Sequence, residues 1–200
     1  MLKRAFDIAL SGTGLVLSSP VWLLIAIAIR LEDGGAVMFT QDRVGRGGVA
    51  FRAFKFRSMV PDAATRPPQQ AGEGDPRITR VGRVLRATAM DELPQLFNIF
   101  RGDMSFVGPR PLMPGEIEVR GSGNLVRLDS IPGYVERHSV RPGLTGLSQV
   151  YAPRDTPRVR KFRLDSIYVR NASFRLDVFL VAVSFWITFR GRWEVRARKF

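Results

Sequence analysis

From Ile8 to Ile29 the chain runs twenty-two residues without a charge, long enough to cross a bilayer. Two features argue against a simple crossing. Ser19-Pro20 falls in the middle, and proline removes a backbone donor and clashes with the preceding turn, so a kink or break is expected there. Both flanks are also basic: Lys3 and Arg4 precede the run, and Arg30, Arg43, Arg46, Arg52, Lys55 and Arg57 follow it. Positive flanks stay on the cytoplasmic side, so both ends prefer the same side. A helix-break-helix that enters one leaflet and returns satisfies both features. Ile8 to Ser18 reaches ~16 Å at ~1.5 Å per residue, about half the hydrocarbon thickness. The carbonyls freed near Pro20 need partners, which the Ser18 or Ser19 hydroxyls can supply. A single-pass helix kinked at Pro20 is the alternative. A cleaved leader fits less well, because the run is long for one, carries a central proline, and is followed by no clear small-x-small site.

Two hundred residues fit one domain with appendages and can bury a core without disulfides. Cysteine is absent, which excludes disulfides and thiolate metal sites. His138 is the single histidine, so neither a histidine-rich metal site nor a Ser-His triad is expected. Chemistry falls to carboxylates, lysines, arginines and hydroxyls. The 31 Lys and Arg against 18 Asp and Glu leave a formal charge of +13, which calls for an anionic partner: nucleic acid, acidic lipid or phosphorylated substrate.

Gln41 to Met59 reads as a β-hairpin turning at Gly45, Gly47 and Gly48, with Lys55 and Arg57 on one strand face. Thr65 to Asp75 is a polar Pro/Gly loop. Ile78, Val81 and Leu85 have helical spacing, set among Arg77, Arg80, Arg83 and Arg86. Those arginines fit a solvated face and phosphate or headgroup contact equally. Leu93, Leu96, Phe97 and Phe100 mark an amphipathic helix starting near Asp91, because Pro94 is tolerated only in a first turn, and ending at Gly102. Gly108-Pro109-Arg110-Pro111 and Pro142 to Gly146 are rigid loops. Val178 to Phe189 is uncharged but only twelve residues long, which suits a core or interfacial helix rather than a span. Basic residues follow it to the end, as a membrane-surface anchor would.

The sharpest chemical constellation is Asp91-Glu92 ahead of Leu93-Pro94. Adjacent side chains diverge by about 100° in mid-helix, since ~3.6 residues make a turn, but two carboxylates can converge at a helix start. An ionised aspartate there can attack phosphorus, and magnesium suits one or two carboxylates plus substrate phosphates. The plain alternative is a capping aspartate with a first-turn glutamate. Lys55, Arg57, Arg86 and Arg110 are the cations available to hold a diphosphate, each with a surface role as its alternative.

In order along the chain stand Lys3 to Asp7, Ser19-Pro20, Gln41 to Gly45, Phe54 to Met59, Asp75 to Arg83, Asp91 to Gln95, Gly102 to Ser105, Val107 to Pro111 and Arg141 to Gly146. Together these resemble the bacterial sugar transferase family, the monotopic phosphoglycosyl transferases. The resemblance covers nearly the whole chain and matches the family's minimal form.

It implies a mostly helical α+β fold: a re-entrant membrane hairpin over 1–33, a compact cytosolic catalytic domain with a small β-hairpin over 34–170, and an interfacial amphipathic helix with a basic tail over 171–200. It implies transfer of a sugar-1-phosphate from a nucleotide sugar, with UDP expected, to polyprenyl phosphate at the cytoplasmic face of the inner membrane. The reaction would depend on magnesium and pass through a phosphosugar-enzyme intermediate. Asp91 becomes nucleophile and magnesium partner, and Glu92 its dyad mate; Lys55, Arg86, Arg110 and Asp165 match other polar site positions. After Gln149-Val150 the family runs Asn-Gly-Arg, whereas this chain reads Tyr151-Ala152-Pro153-Arg154, with Arg154 read as the displaced arginine. Membrane lipids are expected partners and nucleic acid is not: no zinc, RRM or KH signature is present, and nucleic-acid binding leaves Ile8 to Ile29 unexplained. A non-catalytic scaffold is the other class, against which both carboxylates stand.

Overall fold

The computed structural model describes residues 1–61, 75–119, 124–153 and 156–190. Over these residues the chain is mostly helical, with three two-stranded sheets. Helix α1 runs from Leu2 to Asp33, 32 residues or ~48 Å at ~1.5 Å per residue. It is long and apolar enough to cross a membrane, and only 11 % of its most apolar window is buried against the rest of the protein.

The break expected at Ser19-Pro20 is not an interruption of the helix: Pro20 lies inside α1. The reason is local. A proline at position 20 leaves the carbonyl of Val16 without its usual donor, and the Ser19 hydroxyl donates to that carbonyl at 2.8 Å. Trp22 Nε1 also donates to the Ser18 hydroxyl at 3.0 Å.

Both ends of α1 are tied to the same globular body. Near the start, Lys3 pairs with Asp177 at 2.8 Å and donates to the Val107 carbonyl at 3.0 Å. Arg4 donates to the carbonyls of Ile99 and Phe100. Asp7, 1 % exposed, accepts from the Ser105 hydroxyl and the Phe106 amide. Near the end, Glu32 accepts from the amides of Arg80 and Val81, and Asp33 is held by both terminal nitrogens of Arg57. Between these ties Val16, Leu17, Leu23, Leu24 and Ile27 are exposed.

Strands β1 (Met38–Val44) and β2 (Ala50–Phe56) form the expected hairpin, in antiparallel register from Met38 opposite Phe56 to Val44 opposite Ala50. Gly47 and Gly48 in its turn have positive φ, where glycine bears no steric cost. Helix α2 (Arg80–Ala87) is capped by the Thr79 hydroxyl, which accepts from the Gly82 amide. Helix α3 (Gln95–Arg101) ends at Gly102, φ 102°.

The expected apolar stripe of α3 is only partly buried. Leu96 is inside, but Phe97 and Phe100 are about half exposed, and Asn98 is fully buried instead. Asn98 earns its place by joining α3 to β2: it accepts from the Phe54 amide and donates to the Arg52 carbonyl, so its polar atoms are satisfied.

The remaining elements are β3 (Ser105–Val107), β4 (Ile117–Val119), β5 (Leu125–Arg127), α4 (Tyr134–Arg137), β6 (Gly143–Thr145), α5 (Leu147–Tyr151), α6 (Arg158–Arg170) and α7 (Phe174–Phe189). The two Pro/Gly loops of the sequence flank or contain β3 and β6, which pair in parallel, a pairing the sequence did not signal. A side chain at Gly143 would sit 2.1 Å from the Gly108 amide nitrogen, so the close approach of the two segments requires glycine. The main core joins Leu96, Ile99, Met104, Phe106, Val107, Val150, Tyr168, Leu180, Val181 and Ile187. Helix α7 therefore contributes one side to the core, while Val178, Phe179, Phe185, Trp186 and Phe189 on it are exposed.

Candidate active site

Asp91 and Glu92 lie in a short 3-10 turn, Met90–Glu92, ahead of α3. Helix α3 itself begins at Gln95 with Pro94 as its N-cap, not near Asp91 as the position of Pro94 predicts. Convergence comes from the turn itself. Ala89, just before it, has φ 56°, the one positive φ among the described non-glycine residues. A left-handed alanine costs of order 1 kcal/mol and persists where surrounding structure enforces it, often at functional sites. Leu93 and Pro94 then continue in helical geometry into α3.

Two cations close on this turn. Lys55 Nζ lies 2.6 Å from Glu92 Oε1 and 3.8 Å from Asp91 Oδ2, and Arg110 Nη2 donates to the same Glu92 oxygen at 3.2 Å. The carboxylate side chains are 11 % exposed each, Lys55 20 % and Arg110 46 %, so the site opens on the Arg110 side. Burial alone would raise the Glu92 carboxyl, but Lys55, Arg110 and Arg43 outweigh it and hold it at about 2. Glu92 is thus held ionised at neutral pH in this arrangement. Glu92 in turn raises the Arg110 guanidinium.

The Arg110 segment is a strap whose carbonyls are bonded in succession. Gln149 Nε2 donates to the Gly108 carbonyl, the Gly143 amide to Pro109, Arg137 Nη2 to Arg110 at 2.6 Å, Arg43 Nη1 to Pro111 and the Val44 amide to Leu112. Prolines at 109 and 111 limit the backbone further. Burial, with Arg110 nearby, pushes the Arg43 guanidinium down to about 10, which still leaves it charged at neutral pH. Arg158, close enough to add to that repulsion, pairs with Glu116.

The other expected site residues fall elsewhere. Arg57 does not join the dyad: its guanidinium is taken up by Asp33 and by the carbonyls of Ala36 and Met59. It follows the last residue of β2, outside the strand that carries Lys55, and ties that strand to the end of α1. Asp165 binds Arg137 at 2.9 Å and the Ser148 hydroxyl at 2.6 Å, all buried, and so reaches Arg110 only through Arg137. Arg86 stands half-buried in the last turn of α2, ahead of Ala89, and its charge helps Arg77 lower the Asp75 carboxyl. Arg154 lies outside the described residues. Arg43, which the sequence places only among the basic residues flanking the apolar run and within Gln41 to Gly45, and Arg137, which lies in none of the matching segments, join the site's surroundings only in the structure.

Among the described residues no group of three or more His, Cys, Asp or Glu gathers for a metal. The available set is two hard carboxylate oxygen donors beside the cations Lys55 and Arg110. That fits magnesium, which takes one or two carboxylates and completes its shell with substrate oxygens and water.

A family model described as bacterial sugar transferase matches residues 1–191. The chain is 43% identical over 185 residues to UDP-N-acetylgalactosamine-undecaprenyl-phosphate N-acetylgalactosaminephosphotransferase of Aeromonas hydrophila, covering 90% of this chain and 42% of that protein. It is 41% identical over 185 residues to undecaprenyl-phosphate glucose phosphotransferase of Komagataeibacter xylinus, covering 90% and 34%. It is 41% identical over 187 residues to exopolysaccharide production protein PSS of Rhizobium leguminosarum bv. phaseoli, covering 90% and 92%. The chain therefore spans well under half of the first two relatives and nearly all of the third.

Proposed function

The chain belongs to the bacterial sugar transferase family, and on that premise we propose that it transfers a sugar-1-phosphate from a nucleotide sugar, UDP-linked, to polyprenyl phosphate, as an early step of glycan assembly. The observation that carries this reading is the buried Asp91-Glu92 pair flanked by Lys55 and Arg110. A carboxylate nucleophile, an ionised neighbour and phosphate-binding cations are what phosphoryl transfer through an acyl phosphate needs.

In the first half-reaction an Asp91 oxygen attacks the phosphorus that bears the sugar. The bond from that phosphorus to the oxygen bridging the two phosphates breaks, and UMP leaves with the electron pair. In the second, a phosphate oxygen of the polyprenyl phosphate attacks the same phosphorus. The Asp91–phosphorus bond breaks, the carboxylate is regenerated, and polyprenyl diphosphate sugar departs. Arg110, the more exposed cation, meets the incoming diphosphate. Lys55 neutralises the dyad, so that two anions can approach. Glu92, held ionised, orients both cations. Magnesium, when held by Asp91, would offset charge on the diphosphate oxygens.

We read α1 as re-entrant, with both ends at the cytoplasmic face of the inner membrane and its exposed apolar middle in one leaflet. Support comes from the polar ties at both ends of α1 to one globular body; a spanning helix would put those ends on opposite sides. Cysteines introduced at positions 2 and 33 are both expected to resist an impermeant periplasmic thiol reagent, and labelling of one alone would mean a single pass. The activity is tested by supplying a panel of UDP-sugars with undecaprenyl phosphate and measuring UMP. Wild-type protein should release UMP with at least one sugar and Asp91→Asn with none; release by the variant would remove Asp91 from the chemistry.

A further inference from the structure

We propose that Arg137 is a positioning residue for Arg110, oriented by Asp165 and Ser148. The inference rests on the reading of Arg110 as a contact to the transferring phosphate.

Arg137 is 2 % exposed, and each part of its guanidinium has a separate task. Nε bonds Asp165 Oδ2 at 2.9 Å, Nη1 bonds His138 Nε2 at 3.1 Å, and Nη2 bonds the Arg110 carbonyl at 2.6 Å. Asp165 is itself fixed by the Ser148 hydroxyl on its other oxygen at 2.6 Å. Since Nη1 donates to His138 Nε2, the ring proton sits on Nδ1 and is given to the Tyr134 carbonyl at 2.8 Å.

The planar fork of arginine thus joins α4 and α6 to the backbone of the one strap residue whose side chain reaches Glu92. A lysine ammonium has no fork of fixed geometry and cannot reproduce three such bonds in one plane. A core ion pair serving stability alone needs no bond to the strap, and buried pairs are often replaceable by apolar residues without loss of stability. The bond to the Arg110 carbonyl is what the positioning role adds: a small displacement of that backbone moves the guanidinium that meets substrate, and geometric errors of that size cost rate steeply.

The decisive variant is the apolar double substitution Arg137→Met with Asp165→Leu, compared with Arg137→Lys and assayed with and without Arg110→Ala. The expected result is a double variant that melts cooperatively near the wild-type temperature but releases UMP at least tenfold more slowly at saturating UDP-sugar. Adding it to Arg110→Ala should change the rate by less than twofold. Recovery of the wild-type rate by the apolar pair, or effects that multiply with Arg110→Ala, would overturn the proposal. Should the apolar pair fail to fold, Arg137→Lys decides by the same two criteria.

Hydrogen exchange gives a readout independent of turnover. Arg137→Lys should speed exchange at the Gly108 and Gly143 amides, which bond into and beside the strap, while the α6 amides keep their protection; unchanged exchange at those two glycines would overturn the proposal. If the wild-type protein releases no UMP from any UDP-sugar, the activity reading fails on that result alone, and the exchange measurement still decides whether Arg137 holds the strap.

Discussion

Lys55 and Arg110 converge on a single oxygen of Glu92, yet unlike structures deliver them. Lys55 stands on a two-stranded hairpin. One part of that hairpin is bonded to α3 through Asn98, and its end is bonded to α1 through the pair of Arg57 and Asp33. Arg110 stands on a strap whose carbonyls are bonded one after another within the globular body, by Gln149, Gly143, Arg137, Arg43 and Val44. The Lys55 arm is tied directly to the end of the apolar helix, whereas the Arg110 arm is held by α4, α5 and β6 and, at its far end, by Arg43 and Val44 of β1. The same charge function is built once on a hairpin tied to the end of α1 and once on a strap that follows β3, which the start of α1 bonds through Lys3 and Asp7.

The largest expected effect would come from removing either cation. Lys55→Met and Arg110→Met should each lower the rate of UMP release by about 10²–10³, the usual loss for one preorganised group that stabilises transition-state charge. Equal losses would leave the comparison intact; a loss confined to one variant would mean that only one arm meets the phosphate.

A smaller effect is expected at the tie to α1. Arg57→Ala removes charged hydrogen bonds from a pair that is 9 % and 24 % exposed, at a cost of about 2 kcal/mol in stability. The rate should fall only severalfold, because Lys55 remains. The exchange Arg57→Asp with Asp33→Arg should recover part of both losses. A loss as deep as that of Lys55→Met would instead place Arg57 among the groups that touch substrate.

The smallest effect separates the arms by pH. His138 borders the Arg110 arm, and burial, with the charge of Arg137 beside it, pushes its imidazole down to about 4. The unfolded chain takes up this proton near pH 6.5, whereas the folded chain takes it up only near pH 4. Its contribution to stability is therefore complete above about pH 6.5 and lost as pH falls towards 4, with an upper bound of ~3 kcal/mol. The melting temperature should drop across that window, and less so in His138→Gln. Glu92, held near 2, contributes only in a lower window, since an unfolded glutamate titrates near pH 4.3. An equal slope in both proteins between pH 6.5 and 5 would remove His138 from this account.

Much of this arrangement was legible in the sequence because its signals are local. The Gly45, Gly47 and Gly48 turn marks the hairpin, Gly102 ends α3 although the helix starts at Gln95 rather than near Asp91, and the need of the freed carbonyl near Pro20 for a serine hydroxyl is met by Ser19. The sequence marks Asp91, Glu92, Lys55 and Arg110 as candidate site residues, and the structure brings them together. What the sequence could not reveal depends on distant partners. Asn98 is buried while Phe97 of the apolar stripe stays half exposed, because Asn98 satisfies two backbone groups of β2. Arg57 has the spacing from Lys55 of a shared strand face, but β2 ends at Phe56 and Asp33, far back in the chain, holds it. Arg137 has no motif, and its importance appears only where α4, α6 and the strap meet.

The proposed covalent step at Asp91 is tested most directly by trapping the phosphosugar on the protein. Purified protein is incubated with a UDP-sugar labelled in the sugar, without polyprenyl phosphate, and the intact protein is weighed and counted. The account predicts UMP release of no more than one equivalent, together with an adduct of sugar-phosphate mass that is stable to acid, released by hydroxylamine and absent from Asp91→Asn. No adduct on the wild-type protein, with product formed only when both substrates are present together, would contradict it and show direct transfer between the bound substrates.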